Sequence, residues 1–397
     1  MKSLFFISAA IAAAILLLSP PASYCGTWDD ISAMLGSHDA AVVTSPENEV
    51  LFAKNSDKLL VPASTLKILT ALTAFYHLGV NFRFKTEFYI DTENNLVIKG
   101  YGDPLLVSEE VEKIAEILAG KINKISGIVL DDSYFAADIE TPGTKAVSHK
   151  SYDAPIGALC VNFNTVNIKK AGNGYVSAEP QTPLLPSVLK RLKGKNIADE
   201  RILLSGKNNE NLIYAGELFA YFLRARGVMI SGPIRPGPAM AEKSRLIYRH
   251  YSCFDLTEVV AQLMEYSNNF VANQLLAATG AKAYGRPATI EKGVQAAADY
   301  AKRKLGISPK LAEGSGISRQ NKISAQMFIP MLNAFARYYS LMPEEKGIYF
   351  KTGTLDGIST RAGYIEKNND LFRFAVLINT SGKDAAPVAE KIAAAIR

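Results

Sequence analysis

The stretch Val61-Pro62-Ala63-Ser64-Thr65-Leu66-Lys67 runs into an apolar, helix-period segment, Ile68-Leu69-Thr70-Ala71-Leu72-Thr73-Ala74-Phe75-Tyr76, and stops at Leu78-Gly79. Pro62 and Ala63 suit the entry to a helix, Gly79 suits its end, and no proline or glycine interrupts the pattern between them. The chain must therefore bury one helix that carries a serine at its N-terminus and a lysine one turn further on.

Residues three apart share a helix face, which brings the Lys67 amine within hydrogen-bonding range of the Ser64 hydroxyl. A serine alone is a poor nucleophile. An amine can act as its base only when uncharged, so apolar neighbours such as Leu66 and Leu69, with the positive helix end, would have to lower the lysine pKa. The same helix end offers N–H groups to a developing oxyanion. Taken alone, Ser-x-x-Lys is far more often an N-cap serine followed by a solvated lysine, because such spacing is common.

At 397 residues, 48% hydrophobic and 21% charged, the chain has globular composition and room for two or three domains. Met1-Lys2, the apolar run Leu4 to Leu18 and then Ser19-Pro20-Pro21-Ala22-Ser23 read as a secretory signal peptide, residues 1–24, rather than a membrane span. The mature protein is expected in the periplasm or extracytoplasmic envelope, with no stable membrane span after cleavage. Cys25 would admit a lipid anchor, but Tyr24 precedes it where small residues are expected. Cys160 and Cys253 could pair in an oxidising compartment, although nothing in their spacing requires it. No Cys/His metal cluster or cofactor motif is present. The net charge of +6 is diffuse, which speaks against nucleic acid and suits an anionic envelope polymer.

Asp39 to Lys54 reads as a hairpin broken at Ser45-Pro46-Glu47-Asn48, and Phe82 to Ile98 as a second one turning at Asn94-Asn95. Ser108 begins a helix through Leu118. The region from Arg83 to Tyr251 is a patchwork of short strands with one strong late helix, Leu212 to Arg226, followed by a linker-like Gly232 to Pro238. Helices resume at Leu256 to Ala278 with Gly280 as cap, at Ala288 to Leu305 and at Ser324 to Tyr339. Three strand candidates follow, Ile348 to Thr354, Arg361 to Ile365 and Phe372 to Ile378, and Ala385 to Ile396 is a last helix. If those strands pair with the first hairpin, both ends of the chain build one domain and the middle is an insertion.

Two further stretches change the reading of Ser64. Ser267-Asn268-Asn269 interrupts an apolar helical face, and Lys351-Thr352-Gly353-Thr354 sits on a strand too polar for a buried core. Each alone is also a polar helix face or a strand-end turn. Together, Ser-x-x-Lys, Ser-x-Asn and Lys-Thr-Gly in that order are the motif set of penicillin-binding proteins and class A β-lactamases.

With its separation of 203 residues between Ser64 and Ser267 (267 − 64), the chain resembles the class C low-molecular-mass penicillin-binding proteins, the D-alanyl-D-alanine carboxypeptidase/endopeptidase family. Gly100 to Leu106, Val161-Asn162-Phe163-Asn164, Glu313-Gly314-Ser315-Gly316-Ile317-Ser318-Arg319 and Thr360 to Tyr364 carry the same resemblance, which departs at Asn268, where the family often has aspartate. The resemblance implies an α+β fold of the serine β-lactamase/DD-transpeptidase type, an antiparallel sheet flanked by helices. Residues 25–82 and 252–397 would form the catalytic domain. Residues 83–251 would form a large, mostly-β insertion, expected to fold as a separate module that shapes access to the cleft.

It also implies a D-Ala-D-Ala carboxypeptidase, with D,D-endopeptidase as a further reaction, acting on peptidoglycan peptides without a cofactor and acylated by β-lactams. Ser64 would be the nucleophile and Lys67 its base. Ser267 would relay a proton, and Asn269 would orient Lys67 and the substrate amide. Lys351, Thr352, Gly353 and Thr354 would bind the substrate's terminal carboxylate, and the N–H groups of Ser64 and Thr354 would form the oxyanion hole. Asp131 and Asp132 are candidates to reach the cleft, a plain turn being the alternative. His38, His77, His149 and His250 lie near no serine pattern. Glu313 to Gly316 is not a nucleophile elbow, since Ile317 stands where glycine is required. Two other readings remain open: a β-lactamase, set apart by how fast its penicilloyl adduct hydrolyses, and a silent wall-binding scaffold, which would have no need of a nucleophile and two amines.

Overall fold

The computed structural model describes residues 25–145, 148, 150–239 and 244–397; the signal-peptide segment and His149 lie outside them. A six-stranded antiparallel sheet runs in the order Glu344–Glu345, Ile348–Leu355, Ile358–Lys367, Asp370–Ile378, Asp39–Thr44, Val50–Lys54. Strands from the two ends of the chain are thus neighbours, with Asp39 opposite Ile378 and Thr44 opposite Arg373. Every residue of Asp39–Thr44 is buried because the sheet is covered on both faces. Ala41 and Val43 face the helices Cys25–Met34 and Ala385–Ile396 together with Phe374, Val376 and Ile392. Ala40 and Val42 point the other way, into the main core with Leu69, Leu72, Phe328 and Leu377.

The helix Lys67–Leu78 lies at the centre of that core, flanked by Leu256–Tyr266, Asn269–Tyr284, Ile290–Tyr300 and Ala325–Phe335. All nine residues from Lys67 to Phe75 are buried, and the helix ends at Gly79 with φ 91°. A single 3₁₀ turn, Ala63–Leu66, precedes it and carries Ser64.

The inserted region has a five-stranded mixed sheet in the order Ile234–Pro236, Ile128–Asp131, Leu96–Gly100, Arg83–Asp91, Ser244–Asp255. Helices Ser108–Ala119 and Glu210–Ala225 pack on it around Phe88, Ile98, Val111, Leu130, Leu218 and Phe219. A three-stranded antiparallel sheet, Gly174–Ser177, Thr165–Ala171 and Glu200–Leu203, and a short parallel pair, Lys124–Ile125 with Met229–Ile230, also belong to it.

Several sequence expectations need correction. Leu256 to Ala278 is two helices: Ser267 turns into the left-handed region (φ 55°), and Asn268 caps the second by accepting from the N–H groups of Phe270 (2.9 Å) and Val271 (3.3 Å). Gly280 is no cap but lies inside that helix, where a Cβ would collide with the backbone of Gly293 on the neighbouring helix. The supposed linker contains an edge strand, Ile234–Pro236, paired in parallel with Ile128–Asp131, a place where proline costs no ladder bond. The insertion's last strand continues to Asp255, past the expected boundary. Within the stretch Val161 to Asn164, Asn162–Asn164 is a 3₁₀ turn with φ positive at all three residues. Cys160 is buried and Cys253 exposed, and both are free thiols.

Candidate active site

The 3₁₀ turn and the first turn of the central helix place the Lys67 Nζ 2.8 Å from the Ser64 Oγ. The same nitrogen lies 2.8 Å from the Asn269 Oδ1 and 2.7 Å from the Ser315 carbonyl oxygen. Both of the latter are pure acceptors, so they occupy the two hydrogens of an uncharged amine and leave its lone pair for the Ser64 hydroxyl. Asn269 is held in that sense by its other end, whose Nδ2 donates to the Tyr152 carbonyl at 3.4 Å.

Lys67 is 0% exposed. Burial pushes its pKa well below the ordinary lysine value, the Lys351 ammonium pushes it further down, and the Glu313 carboxylate pulls partly back. This is the electrostatic condition for a lysine base at neutral pH. Lys351, 1% exposed, is itself lowered to about 8 by burial, with Glu265 acting in the opposite sense. Its Nζ donates to the Thr352 carbonyl at 3.1 Å.

Lys351 and Gly353 point inward from the strand Ile348–Leu355, whereas Thr352 and Thr354 are exposed. A Cβ on Gly353 would stand 2.7 Å from the Ser64 nitrogen, so glycine alone lets this strand lie against the N–H expected to face an oxyanion. Thr352 and Thr354 line a cavity of about 310 Å³ along the same strand. Ser267 and Asn269 line another of about 500 Å³, closed on the insertion side by Tyr152, Phe163 and Arg201. Ser267 makes no hydrogen bond to the Lys67 amine, whose three partners among the described residues are those given above.

A family model described as the D-Ala-D-Ala carboxypeptidase 3 (S13) family matches residues 29–202 and 195–342. The chain belongs to this family. It is 24% identical over 433 residues to the D-alanyl-D-alanine carboxypeptidase of Actinomadura sp. (strain R39), covering 90% of this chain and 80% of that one. To the D-alanyl-D-alanine carboxypeptidase DacB of Haemophilus influenzae it is 24% identical, with 80% of each covered. Among solved structures, penicillin binding protein 4 (dacB) of Haemophilus influenzae matches with TM-score 0.73 at 21% identity, covering 92% of this chain and 97% of that one. Bd3459, a predatory peptidoglycan endopeptidase of Bdellovibrio bacteriovorus, matches with TM-score 0.53 at 17% identity, covering 90% of both. These structural likenesses are in the fold.

In this serine-type D-Ala-D-Ala carboxypeptidase the expectation that Asp131 and Asp132 reach the cleft is corrected. Asp131 is buried in the insertion, paired with Lys99 at 2.8 Å and accepting from the N–H groups of Ser133 and Ala239. Asp132 turns its carboxylate to the N–H of Leu159. Both are internal ties of the accessory region. Conversely, Ser315, Glu313, Asn273 and Tyr152 surround the reactive pair and received no role from the sequence. The Glu313 to Ser318 segment carried the usable signal, a charged residue inside a Gly/Ser run with no turn or helix pattern to account for it.

Proposed function

We propose that the carboxypeptidase works through an acyl-enzyme on Ser64. Ser64 attacks the carbonyl carbon of the penultimate D-Ala while Lys67 takes the hydroxyl proton. When the tetrahedral intermediate collapses, the C–N bond breaks and the proton held by Lys67 reaches the leaving amine of the terminal D-Ala, with Ser267, which lines the cavity beside Asn269, as the relay once bound substrate joins it to the network. Water then cleaves the ester, releasing the shortened peptide and regenerating Ser64. Lys351, with Thr352 and Thr354, holds the terminal carboxylate, and the Ser64 and Thr354 N–H groups receive the oxyanion, each worth ~3 kcal/mol by analogy with other acyltransferases. The observation that carries this reading is the buried Lys67 amine, which lies within hydrogen-bond distance of the Ser64 hydroxyl and is held there by the Asn269 and Ser315 oxygens.

The same chemistry with a side-chain amine of a cross-linked stem peptide as leaving group is a D,D-endopeptidase reaction, and the structurally similar Bd3459 is a peptidoglycan endopeptidase. A neighbour described as penicillin G acylated supports β-lactams as covalent ligands here. The apolar leader supports work in the periplasm, and no helix among the described residues is long and apolar enough to cross a membrane. Residues 83–251, with a core of their own, are read as an accessory region that walls the cleft through Tyr152, Phe163 and Arg201.

The test is incubation with labelled penicillin followed by peptide mapping. The adduct is expected on Ser64 and is lost in Ser64→Ala, whose melting temperature stays that of the parent because the side chain is only half-buried. Labelling that survives the substitution refutes the assignment.

A further inference from the structure

The segment Glu313-Gly314-Ser315-Gly316 takes no part in the reaction as written, yet it is built against the reactive pair. Thr70, one turn along the central helix from Lys67, donates its hydroxyl to the Gly314 carbonyl at 2.6 Å. Ser315 supplies the carbonyl that accepts from Lys67. Gly316, at φ 86°, lies so close under the Ala63 carbonyl that any Cβ there would overlap it. The loop therefore touches both the lysine and the turn that carries the nucleophile.

At its centre is Glu313, 1% exposed. Each of its oxygens receives three donors. Oε2 accepts from the Ser315 N–H (2.6 Å), the Ser315 hydroxyl (2.6 Å) and the Asn273 Nδ2 (3.1 Å). Oε1 accepts from the Gly316 N–H (2.7 Å), the Ser318 N–H (3.3 Å) and the Asn321 Nδ2 (2.6 Å). Asn273 and Asn321 cannot offer oxygen instead, because their Oδ1 atoms accept from the Gly314 and Ala312 N–H groups. A neutral acid would present a hydrogen to this ring of donors, so the site is made for the carboxylate anion. Asn273 also lies one turn beyond Asn269 on the same helix face, which links the third partner of Lys67 to the loop.

Burying an ion costs several kcal/mol unless it is fully hydrogen-bonded. A loop that needed only rigidity would be served by neutral hydrogen bonds.

From this geometry we propose that Glu313 is a positioning residue of the acylation step: its fixed negative charge, delivered through the Ser315 carbonyl, sets how readily Lys67 holds and gives up a proton. The proposal rests on Lys67 being the base of Ser64. The charged and titratable groups facing Lys67 are Lys351 from the strand edge, which lowers its proton affinity, and Glu313, which raises it. Ser64 and Asn269 are its neutral partners. Without Glu313, burial and Lys351 act unopposed.

The experiment is the pH profile of penicillin acylation for the wild type, Glu313→Gln and Glu313→Asp, with thermal unfolding recorded for each. In Glu313→Gln the acid limb is expected to move to lower pH by about one unit, a change of ~1.4 kcal/mol in the proton affinity of Lys67. Glu313→Asp, which retracts the same charge by one methylene, is expected to move it in the same direction by less. A merely structural role would lower the rate at every pH and leave the limb in place, so a folded Glu313→Gln whose limb coincides with the wild type overturns the proposal. If Glu313→Gln does not fold, Glu313→Asp decides by the same criterion. Failure of the underlying reading is distinguishable, because the wild type would then show no acid limb attributable to Lys67 or, if Ser64 is not the nucleophile, Ser64→Ala would still be labelled.

Discussion

Lys67 and Lys351 are two buried amines with opposite duties, and their environments separate them. Lys67 must be neutral to accept a proton, so acylation rises with pH through its depressed pKa. Lys351 must be charged to hold a carboxylate, so binding weakens as pH rises through a value of about 8. For a D-Ala-D-Ala substrate, kcat/KM is therefore expected to be bell-shaped, with an alkaline limb near 8 and an acid limb well below the ~10.4 of a free lysine. A profile that keeps climbing to that value would remove Lys67 as the base. Both limbs belong to the coupled pair rather than to single residues. Lys67→Arg should abolish acylation, since a guanidinium remains protonated and its planar fork does not reproduce the amine's three contacts. Penicillin labelling of that variant at the wild-type rate would contradict the role. The spacing of Ser64 and Lys67 made this pair legible in the sequence. Asn269 required the resemblance, and Glu313 required the fold, because nothing local ties it to a lysine 246 positions away (313 − 67).

At the scale of elements, the break at Ser267-Asn268-Asn269 explains a departure from the family pattern. Asn268 is the N-cap of the helix Asn269–Tyr284, with its side chain turned back on that helix. Asparagine and aspartate cap almost equally well, and aspartate gains from the helix dipole. Asn268→Asp is therefore expected to keep stability and acylation, whereas Asn268→Ala should cost about 1 kcal/mol and lower the melting temperature. An unchanged melting temperature in Asn268→Ala would show that the cap is dispensable. The apolar periodicity of Leu256 to Ala278 hid this break, since both helices bury faces in one core, and only the Ser-Asn-Asn cluster marked it. The hairpins Asp39–Lys54 and Arg83–Gly100 were plain because their contacts are local. The parallel pairing of Ile234–Pro236 with Ile128–Asp131 was not, because its partner lies about a hundred residues earlier. The strand Ser244–Asp255 has register shifts that break its alternation.

At the scale of the whole molecule, the question is whether residues 83–251 can be removed. The sequence suggested a module set into the catalytic domain, and the second hydrophobic core around Phe88 and Phe219 fits a unit with an interior of its own. The catalytic core, however, includes Leu105, Phe135, Ala154, Ile156, Ala158, Cys160 and Leu203 from the insertion, packed with the helices that carry Lys67 and Asn269. Gln274 on the latter helix is bonded at both ends of its amide to Gly157. Gly143 approaches Ser318 so closely that a Cβ there would stand 2.7 Å from its Cα, which brings an insertion loop onto the Glu313 loop. Excision would bare the surfaces against which four large side chains, Leu105, Phe135, Ile156 and Leu203, are buried. At about 1.5–3 kcal/mol each, that is ~6–12 kcal/mol, comparable with the whole stability of ~5–15 kcal/mol of an ordinary domain. A Gly/Ser bridge in place of residues 83–251 is therefore expected to give a protein without a cooperative melting transition and without penicillin acylation. A soluble bridged protein that melts cooperatively and is acylated within about tenfold of the parent rate, or ~1.4 kcal/mol of barrier, would show instead that the shared core is dispensable and the insertion a separable unit.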